Sequence, residues 1–339
     1  MRLLTNVTIA AMLSMTTAAA IAEPYDLKVM GQPVATGLIQ KNIEQPFFEN
    51  FSKETGIDAK VDYKPLDVTG IKDTESGLFD IISLRLSQVS RDEPTILGLD
   101  LVGLNPDYAT GRKTIAAFAD KVDAQLQKKF NTKLLGVWPF GPQVLFCEPE
   151  IAKLNDLKGK KVRVYDQNLA NFVSSVGGTP VPIGFPDVHQ SLARGVVDCA
   201  ITGPSSANSA GWPEVTNYML PVAFQLALNG YGMNLDSYNA LAPEDQKKLD
   251  AGFDKLIEDI WVYSETLFDD AVRCNVGQEP CETVKSYNLK LVPISDEDRD
   301  IIGKAVEDVS FPTWAKICDE QNPTCSSDWT ASVGQARSK

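Results

Sequence analysis

The sequence predicts an α/β protein of two lobes that also contains one long helix. Predicted strands and helices alternate along the chain, which is typical of α/β lobes built on a largely parallel sheet. The 339 residues suffice for two lobes of ordinary domain size. Residues 243–273 carry an apolar stripe at three- and four-residue steps. As one helix they would span roughly 45 Å at 1.5 Å per residue, although a bent or broken helix fits the same stripe.

The first lobe is predicted over residues 23–139 together with 225–255. Its strands are Asp26–Met30, Val61–Tyr63, Phe79–Ser83 and Leu134–Val137. Two helices lie between them, marked by Ile43, Phe47, Phe48 and Phe51 before Gly56, and by Ile115, Phe118, Val122, Leu126 and Phe130. A loop with Arg85, Ser87, Gln88 and Arg91 is expected after the third strand.

The second lobe is predicted over residues 140–224 together with 256–339. Its strands are Val162–Val164, Val181–Ile183 and Val196–Ile201, and its helices are Leu169–Val176, Pro186–Arg194 and Asp296–Val309. Ser295 and Asp298 are placed to begin the last of these helices. Residues 218–229 are expected to cross back to the first lobe. No Pro/Gly-rich linker separates the lobes, so several crossing strands should join them.

The N-terminus and the overall charge indicate an exported protein. Residues 1–22 have the pattern of a secretory signal, with a cleavage motif at Ala20–Ala22. Polar residues interrupt its apolar run, which argues against a permanent membrane span. The net charge is −13, and removal of Arg2 with the signal would make it −14, that is −13 − 1. Bulk charge therefore excludes binding to nucleic acid or to an anionic lipid surface.

The six cysteines suggest disulfide bonds, because their number is even in an exported chain. Locality favours two pairs, Cys274 with Cys281 and Cys318 with Cys325. Cys147 and Cys199 would then remain, either as a third bridge or as free buried thiols. A zinc site is disfavoured, because the spacings are too long for a zinc knuckle and no histidine accompanies them.

The run DLKGKKVRV at residues 156–164, followed by GGTPVPIGFPDVHQSLARGVVD at 177–198, resembles the substrate-binding subunits of tripartite ATP-independent periplasmic (TRAP) transporters. That family has a DLKG turn, a strand carrying an arginine, a GA-x-P-x-P motif and a short helix ending in GVVDG. The resemblance is clearest from Lys133 to Thr202. It implies a two-lobed periplasmic binding protein fold of type II-like topology, with a long helix underlying both lobes.

Arg163 is the main candidate for ligand binding. A guanidinium stays charged at any working pH, so a buried one needs an anion. The resemblance implies that Arg163 holds a ligand carboxylate, and an internal ion pair with Asp166 is the alternative. Many family members carry a second arginine where this chain has Gln143, and an asparagine near the position of Thr202. Ser205, Ser206 or Asn208 could replace that asparagine. A single arginine suggests a ligand with one anionic group and disfavours a dicarboxylate.

Four aromatic residues flank these positions and could wall a cleft or belong to the core. They are Trp138, Phe140, Tyr165 and Trp212. With Gln143 they favour a small monocarboxylate, and within that class an aromatic acid such as a hydroxybenzoate is the first candidate. Gln32, Thr36, Ser87, Gln88 and Arg91 follow first-lobe strands and could contact the ligand or be solvated loop residues. The single histidine, His189, is expected to have a surface or packing role.

The resemblance predicts a periplasmic solute receptor without cofactor or metal, monomeric, that delivers a small organic anion to the membrane subunits of a TRAP transporter. A 2-oxo acid, a sugar acid or a sulfonate is an alternative ligand. An exported enzyme acting on an organic acid is disfavoured, because the sequence lacks a Ser/His/Asp set, a metal cluster and a Walker-type loop. A sensor subunit, or a receptor of another transporter class, would use the same fold.

Overall fold

The computed structural model describes residues 23–34, 37–66 and 70–337. The predicted signal segment and Thr36 lie outside these ranges. Two sheets organise the described chain, one of five strands in the order β2-β1-β3-β10-β4 and one of six in the order β11-β9-β5-β8-β6-β7. The strands of the first sheet are β1 (Tyr25–Gly31), β2 (Ala59–Pro65), β3 (Ile81–Arg85), β4 (Thr132–Pro139) and β10 (Leu228–Asn234). Those of the second are β5 (Val144–Cys147), β6 (Lys161–Val164), β7 (Thr179–Pro182), β8 (Cys199–Thr202), β9 (Tyr218–Leu220) and β11 (Lys290–Leu291).

Helices cover the faces of both sheets. The α-helices are α1 (Gln45–Glu49), α2 (Phe51–Thr55), α3 (Ile71–Glu75), α4 (Leu86–Val89), α5 (Tyr108–Phe130), α6 (Gln167–Ser175), α7 (Val188–Ala193), α8 (Pro204–Ser209), α9 (Leu235–Ala240), α10 (Pro243–Asn275), α11 (Asp296–Ala305), α12 (Phe311–Gln321), α13 (Cys325–Trp329) and α14 (Gln335–Arg337). Three wider π-helical turns lie at Gln40–Glu44, Val306–Ser310 and Thr330–Gly334. Short 3-10 turns lie at Pro94–Leu99, Leu154–Leu157, Phe185–Asp187 and Trp212–Glu214.

Most predicted elements are present, with shifts at their ends. The third strand begins at Ile81 rather than Phe79, and the loop expected after it contains the short helix α4. The helix predicted to end at Val309 continues through a π turn into α12. Ser295 and Asp298 do form the predicted capping box, with each side chain bonded to the other's backbone N–H.

The sheets are not uniformly parallel. β1 runs parallel to β2 and β3, but β10 is antiparallel to both of its neighbours. In the second sheet β5 is antiparallel to β8 and β9. The reason is that β5 and β10 enter their sheets from the opposite lobe, so they run against the local direction.

Two crossing segments lie side by side between the sheets. Residues 140–143 lead from β4 to β5, and residues 221–227 lead from β9 back to β10. The N–H of Phe140 donates to Ala227 O (3.2 Å), and that of Gln143 donates to Gln225 O (2.8 Å). The prediction of crossing strands without a linker is therefore confirmed.

The third connection is α10, which is one unbroken helix of 33 residues. Its N-terminal half contributes Leu249, Phe253 and Ile260 to a core under the first sheet. Phe268 and Val272 pack against a core of the second sheet. The long helix thus underlies both lobes, as the family resemblance implied.

The C-terminal helices contribute to both cores. Ala305 of α11 packs with the core of the second sheet, whereas Trp314 of α12 and Trp329 of α13 join a first-sheet core that includes Phe118. The indole N–H groups of Trp314 and Trp329 donate to Pro94 O (2.8 Å) and Gly98 O (2.7 Å). The predicted division of the chain into lobe ranges remains a prediction.

All six cysteines are paired, and the pairs are Cys147–Cys199, Cys274–Cys281 and Cys318–Cys325. Cys147 and Cys199 occupy directly opposite positions on β5 and β8. The first bridge therefore links β5 to β8, the strand that pairs with β6 and its Arg163, while the two local bridges tie helix ends to the segments that follow them.

Candidate ligand-binding cleft

The topology brings the carboxyl ends of the strands in both sheets to one place. In the first sheet β1, β3 and β4 end at Gly31, Arg85 and Pro139, and the antiparallel β10 begins at the same edge. In the second sheet β6, β7 and β8 end beside the start of β5. Because residues 140–143 run from the end of β4 to the start of β5, the two edges lie at opposite ends of a short crossing. Ligands of α/β sheets bind outside such strand ends.

Arg163 lies at this edge of the second sheet and is only 3% exposed. Its Nε donates to Ile183 O (3.0 Å) and its Nη1 to Ile201 O (2.9 Å), so two neighbouring strand ends hold the guanidinium. The Tyr165 and Trp212 rings each lie 5.6 Å from its central carbon, within cation–π range. Among the described residues, no carboxylate forms an ion pair with it at contact distance, although Asp166 interacts with it electrostatically from farther away.

Asp166, the alternative internal partner of Arg163, is engaged elsewhere. Its carboxylate caps α6 by accepting a hydrogen bond from the Leu169 N–H (2.8 Å). Burial lowers the pKa of Arg163 to about 10, so the guanidinium remains charged at neutral pH. The cleft edge of the second sheet therefore carries a buried positive charge that no carboxylate of the described chain contacts directly, with Asp166 as a more distant electrostatic partner.

Gln143 and Thr202 lie beside this charge and are both buried. Gln143 begins the approach to β5, and its Nε2 donates to Gly141 O (2.8 Å). Thr202 ends β8 opposite Val144. Ser205 and Ser206 are half-buried in the first turn of α8.

Asn208 is also on α8, but its side chain belongs to the scaffold. Its Nδ2 donates to Asn275 Oδ1 (2.8 Å) and Lys285 O (2.7 Å), and its Oδ1 accepts from the Lys285 N–H (3.1 Å). These bonds tie α8 to the end of α10 and occupy both ends of the amide. The structure therefore differs from the expectation that Asn208 replaces a ligand-binding asparagine.

The aromatic candidates are more deeply buried than a cleft wall requires. Trp138 and Trp212 are fully buried, and Trp138 packs against Phe140 and Tyr231 at 5.2 and 6.1 Å between ring centroids. The indole Nε1 of each tryptophan has no hydrogen-bond partner. Tyr165 is half-buried, and its hydroxyl donates to Gln225 Oε1 (3.2 Å) on the crossing segment.

A buried carboxylate organises the cleft edge of the first sheet. Glu44 accepts hydrogen bonds from the Gln32 N–H (3.0 Å) and the hydroxyls of Ser83 (2.9 Å), Tyr63 (3.0 Å) and Tyr231 (2.8 Å). Burial raises its pKa above the ordinary value of a glutamate. The sequence analysis missed this residue. The available signal was its spacing, because Gln40, Glu44 and Phe48 follow one another at four-residue steps and so share the buried face.

Gln32 connects this network to the strand ends. Its Nε2 donates to Ser83 Oγ (3.2 Å) and Asn229 Oδ1 (3.1 Å), while its Oε1 accepts from Arg85 Nε (3.2 Å). Arg85 was not among the candidate ligand residues. Gln88 and Arg91 are exposed, and Ser87 is half-buried beside them.

A second buried carboxylate anchors the crossing segment. Asp100 accepts hydrogen bonds from the N–H groups of Leu226 (3.0 Å) and Leu228 (3.1 Å), and its carbonyl accepts from Gln225 Nε2 (2.6 Å). Burial raises the pKa values of Asp100 and Asp166 to about 6. Gln225 bonds both Asp100 and Tyr165, so this group links the two lobes where residues 221–227 cross.

These raised pKa values predict a pH-dependent stability. The folded state binds the Asp166 proton more tightly than the unfolded state, so this group stabilises the fold at pH 4 and loses that effect as pH rises through 6. Asp166→Asn keeps the α6 cap and should flatten the pH dependence of the unfolding free energy over this window. We expect a change on the order of 1–2 kcal/mol, because Asp166 is only half-buried and solvent therefore screens part of its charge.

Denaturant unfolding at half-unit pH steps measures this effect. Asp187→Asn, which alters an exposed carboxylate, is the control and should retain the slope of the unmodified protein. An unchanged slope in Asp166→Asn would contradict the assigned pKa shift.

Two grooves lie outside the surroundings of Arg163. One, of about 500 Å³, lies along the outer strand β2 beside Phe48 and Tyr63. The other, of about 620 Å³, lies behind Pro221–Ala223 and beside Arg299. Neither groove is lined by Arg163, so their size does not make them better candidates than the cleft. Within the described ranges there is no membrane-spanning type of helix and no cluster of side chains suited to a metal ion.

A family model described as bacterial extracellular solute-binding protein, family 7 (DctP), matches residues 67–273. Among curated proteins, the chain is similar to a solute-binding protein of Chromohalobacter salexigens, with 27% identity over 159 residues that cover 44% of this chain and 45% of the relative. That alignment spans less than half of the relative's length.

Solved structures share the fold over nearly the whole chain. DctP7 of Bordetella pertussis, an extracytoplasmic solute receptor binding pyroglutamic acid, has a TM-score of 0.74 at 17% identity and covers 90% of this chain and 99% of its own. A TRAP periplasmic solute binding protein of Desulfovibrio salexigens with bound orotic acid has a TM-score of 0.76 at 14% identity, covering 92% and 99%. The predicted two-lobed periplasmic binding protein fold and the family resemblance are confirmed.

Proposed function

The chain belongs to the bacterial extracellular solute-binding proteins of family 7, and we propose that it captures a small organic monocarboxylate between its lobes and delivers it to a TRAP-type membrane transporter. The family consists of receptors and not of enzymes. The observation that carries the proposal is Arg163, a buried guanidinium with no carboxylate partner among the described residues. A ligand carboxylate would form a charge-assisted pair with this guanidinium.

Two backbone carbonyls fix the orientation of the Arg163 guanidinium. Ile183 O and Ile201 O hold Nε and Nη1, so the guanidinium is fixed in orientation before any ligand binds. This pre-organisation lowers the entropy lost on binding. Gln143 beside it is neutral, which supports one anionic group at this end of the ligand rather than two.

The cellular location and the transport step follow from the proposed receptor function. The signal-like segment and the three disulfide bonds fit export into an oxidising compartment, and we place the receptor in the periplasm as a monomer. Closure of the two lobes about residues 140–143 and 221–227 would bury the ligand, and the closed complex would dock on the membrane subunits.

The ligand class is narrower than organic acids in general. Pyroglutamic acid and orotic acid, the ligands of two structurally similar proteins, each carry one carboxylate on a small ring. Their size and charge agree with a single arginine and with the nearby aromatic side chains. A hydroxybenzoate belongs to the same class. A 2-oxo acid, a sugar acid or a sulfonate remains an alternative ligand for the same receptor.

A thermal-shift screen of residues 23–339 tests the proposal. The panel contains ring monocarboxylates, 2-oxo acids, sugar acids, dicarboxylates and sulfonates. A ligand specific for the native state raises Tm, because at 100 times its Kd it adds about 2.7 kcal/mol to the free energy of unfolding. We expect the largest shifts with ring monocarboxylates. A shift with dicarboxylates alone would contradict the ligand class, and conversion of a bound acid into a product would favour the enzyme alternative.

A further inference from the structure

Gln40 is a buried side chain whose amide has no partner at either end. The residue is 1% exposed, and neither its Oε1 nor its Nε2 has a hydrogen bond. A primary amide offers two donors and an acceptor, and buried polar groups in native proteins are nearly always satisfied. An amide with both functions vacant therefore indicates a missing polar partner.

The Gln40 amide lies beside Gly37, on the segment that follows β1. The helical run that contains it begins directly after Gly37, whose carbonyl accepts from the Lys41 N–H (2.9 Å). Helical side chains tilt toward the N-terminus, and here that end follows β1 at the cleft edge of the first sheet. Gln40 Oε1 lies so close to Gly37 that a Cβ at this position would collide with it. The absence of a side chain at Gly37 therefore leaves space for the Gln40 amide.

Trp138 provides a second vacant donor at the same edge. It is the penultimate residue of β4, it is fully buried, and its Nε1 has no partner. Its ring lies 6.1 Å from that of Tyr231, whose hydroxyl donates to Glu44 Oε2 (2.8 Å). Glu44 is one helical turn from Gln40, so Trp138 and Gln40 flank the same buried network.

The other polar groups of this network are occupied. Glu44 accepts four hydrogen bonds, and the Gln32 amide makes three. The vacant hydrogen-bonding capacity around Glu44 is therefore concentrated in Gln40 and Trp138, within the part of the chain that the structure describes.

We propose that Gln40 and Trp138 bind the uncharged end of the ligand, and that this end carries a hydrogen-bond acceptor next to a donor, as a lactam or carboxamide does. The inference rests on the proposed function, with the ligand carboxylate at Arg163. The ligand acceptor would receive the Trp138 N–H and the Gln40 Nε2–H, and the ligand N–H would donate to Gln40 Oε1. A second carboxylate would leave Gln40 Oε1 unsatisfied and would lie near the carboxylate of Glu44.

A matched pair of ligands tests this chemistry. Pyroglutamate carries a carboxylate and a lactam on a five-membered ring, whereas cyclopentanecarboxylate has the same ring size and carboxylate without the lactam. We expect calorimetric titration to show at least 100-fold tighter binding of pyroglutamate. A ring without the lactam would leave the Gln40 amide and the Trp138 indole N–H unpaired.

Gln40→Met provides the matched change in the protein. It should weaken pyroglutamate binding at least 10-fold, change cyclopentanecarboxylate binding less than 2-fold, and leave the Tm of the ligand-free protein equal or higher, because the vacant amide is removed. Trp138→Phe should act in the same direction. Gln190→Met, at an exposed position, is the control and should alter neither affinity.

The outcomes separate this inference from the proposed function. Equal weakening of both ligands, or a lower ligand-free Tm with an unchanged preference, would assign Gln40 to the scaffold and overturn the inference. Binding of acids without a donor–acceptor end as tightly as pyroglutamate would overturn it as well, while the receptor assignment stands. Failure of every acid in the panel to bind would overturn both.

Discussion

Replacement of Arg163 by methionine is expected to abolish ligand binding while the protein remains folded. The guanidinium would form a desolvated pair with the ligand carboxylate, and breaking such a pair costs about 3–5 kcal/mol. That loss corresponds to a Kd increase of more than about 100-fold. The measurement is calorimetric titration with the acid that gives the largest thermal shift.

The stability of the ligand-free variant distinguishes binding from folding. Arg163→Met removes a buried charge that has no carboxylate partner, but it also leaves the carbonyls of Ile183 and Ile201 without their donors. These effects oppose each other, so the unfolding free energy should change by no more than about 1–2 kcal/mol. A strong loss of stability would instead indicate that Arg163 supports the sheet edge.

Two further substitutions complete the series for Arg163. Arg163→Lys keeps the charge but not the planar fork, so we expect an intermediate loss of affinity. Arg194→Met, at an exposed site, should bind normally. Near-normal affinity in Arg163→Met would refute the assigned role of this residue.

Local periodicity was sufficient to predict most of the elements that build the fold. The stripe of residues 243–273 corresponds to α10, and the capping pattern at Ser295 corresponds to the start of α11. The antiparallel directions of β5 and β10 could not be predicted in this way, because they depend on which lobe each strand enters from. The packing of Trp314 and Trp329 on the first lobe depends on a long return of the chain, which periodicity does not encode.

A candidate site residue could be predicted where a sequence motif determines its position. It could not be predicted where its role depends on contacts with residues distant in sequence. The position of Arg163 at a strand end follows from its motif. Asn208 fits a family position by residue type, but its amide is used by Asn275 and Lys285, which are distant in sequence. Glu44 and Gln40 were missed because polar residues on an amphipathic helix are ordinarily assigned to the solvent side. Their burial depends on Tyr231 and the loop around Gly37, which meet them only in the folded chain.

Removal of the Cys147–Cys199 bridge is expected to cause the largest loss of stability among the three disulfide bonds. This bridge joins residues 52 positions apart, whereas each of the others joins residues 7 positions apart. In the chain-entropy model the long loop contributes about 4 kcal/mol and each short loop about 2–2.5 kcal/mol. The variant Cys147→Ala/Cys199→Val keeps both positions apolar, and denaturant unfolding measures the loss.

The same variant should retain its ligand affinity. β5 and β8 are also joined by backbone pairing from Val144 to Thr202, so the strand ends beside Arg163 should keep their places without the bridge. The double variant Cys274→Ala/Cys281→Ala is the control for a short loop and should lose less stability. A reductant added to the unmodified protein should approach the combined loss. If the two double variants were equally destabilised, loop length would not determine the contribution of the bridge, and native-state packing around Cys147 and Cys199 would have to account for it.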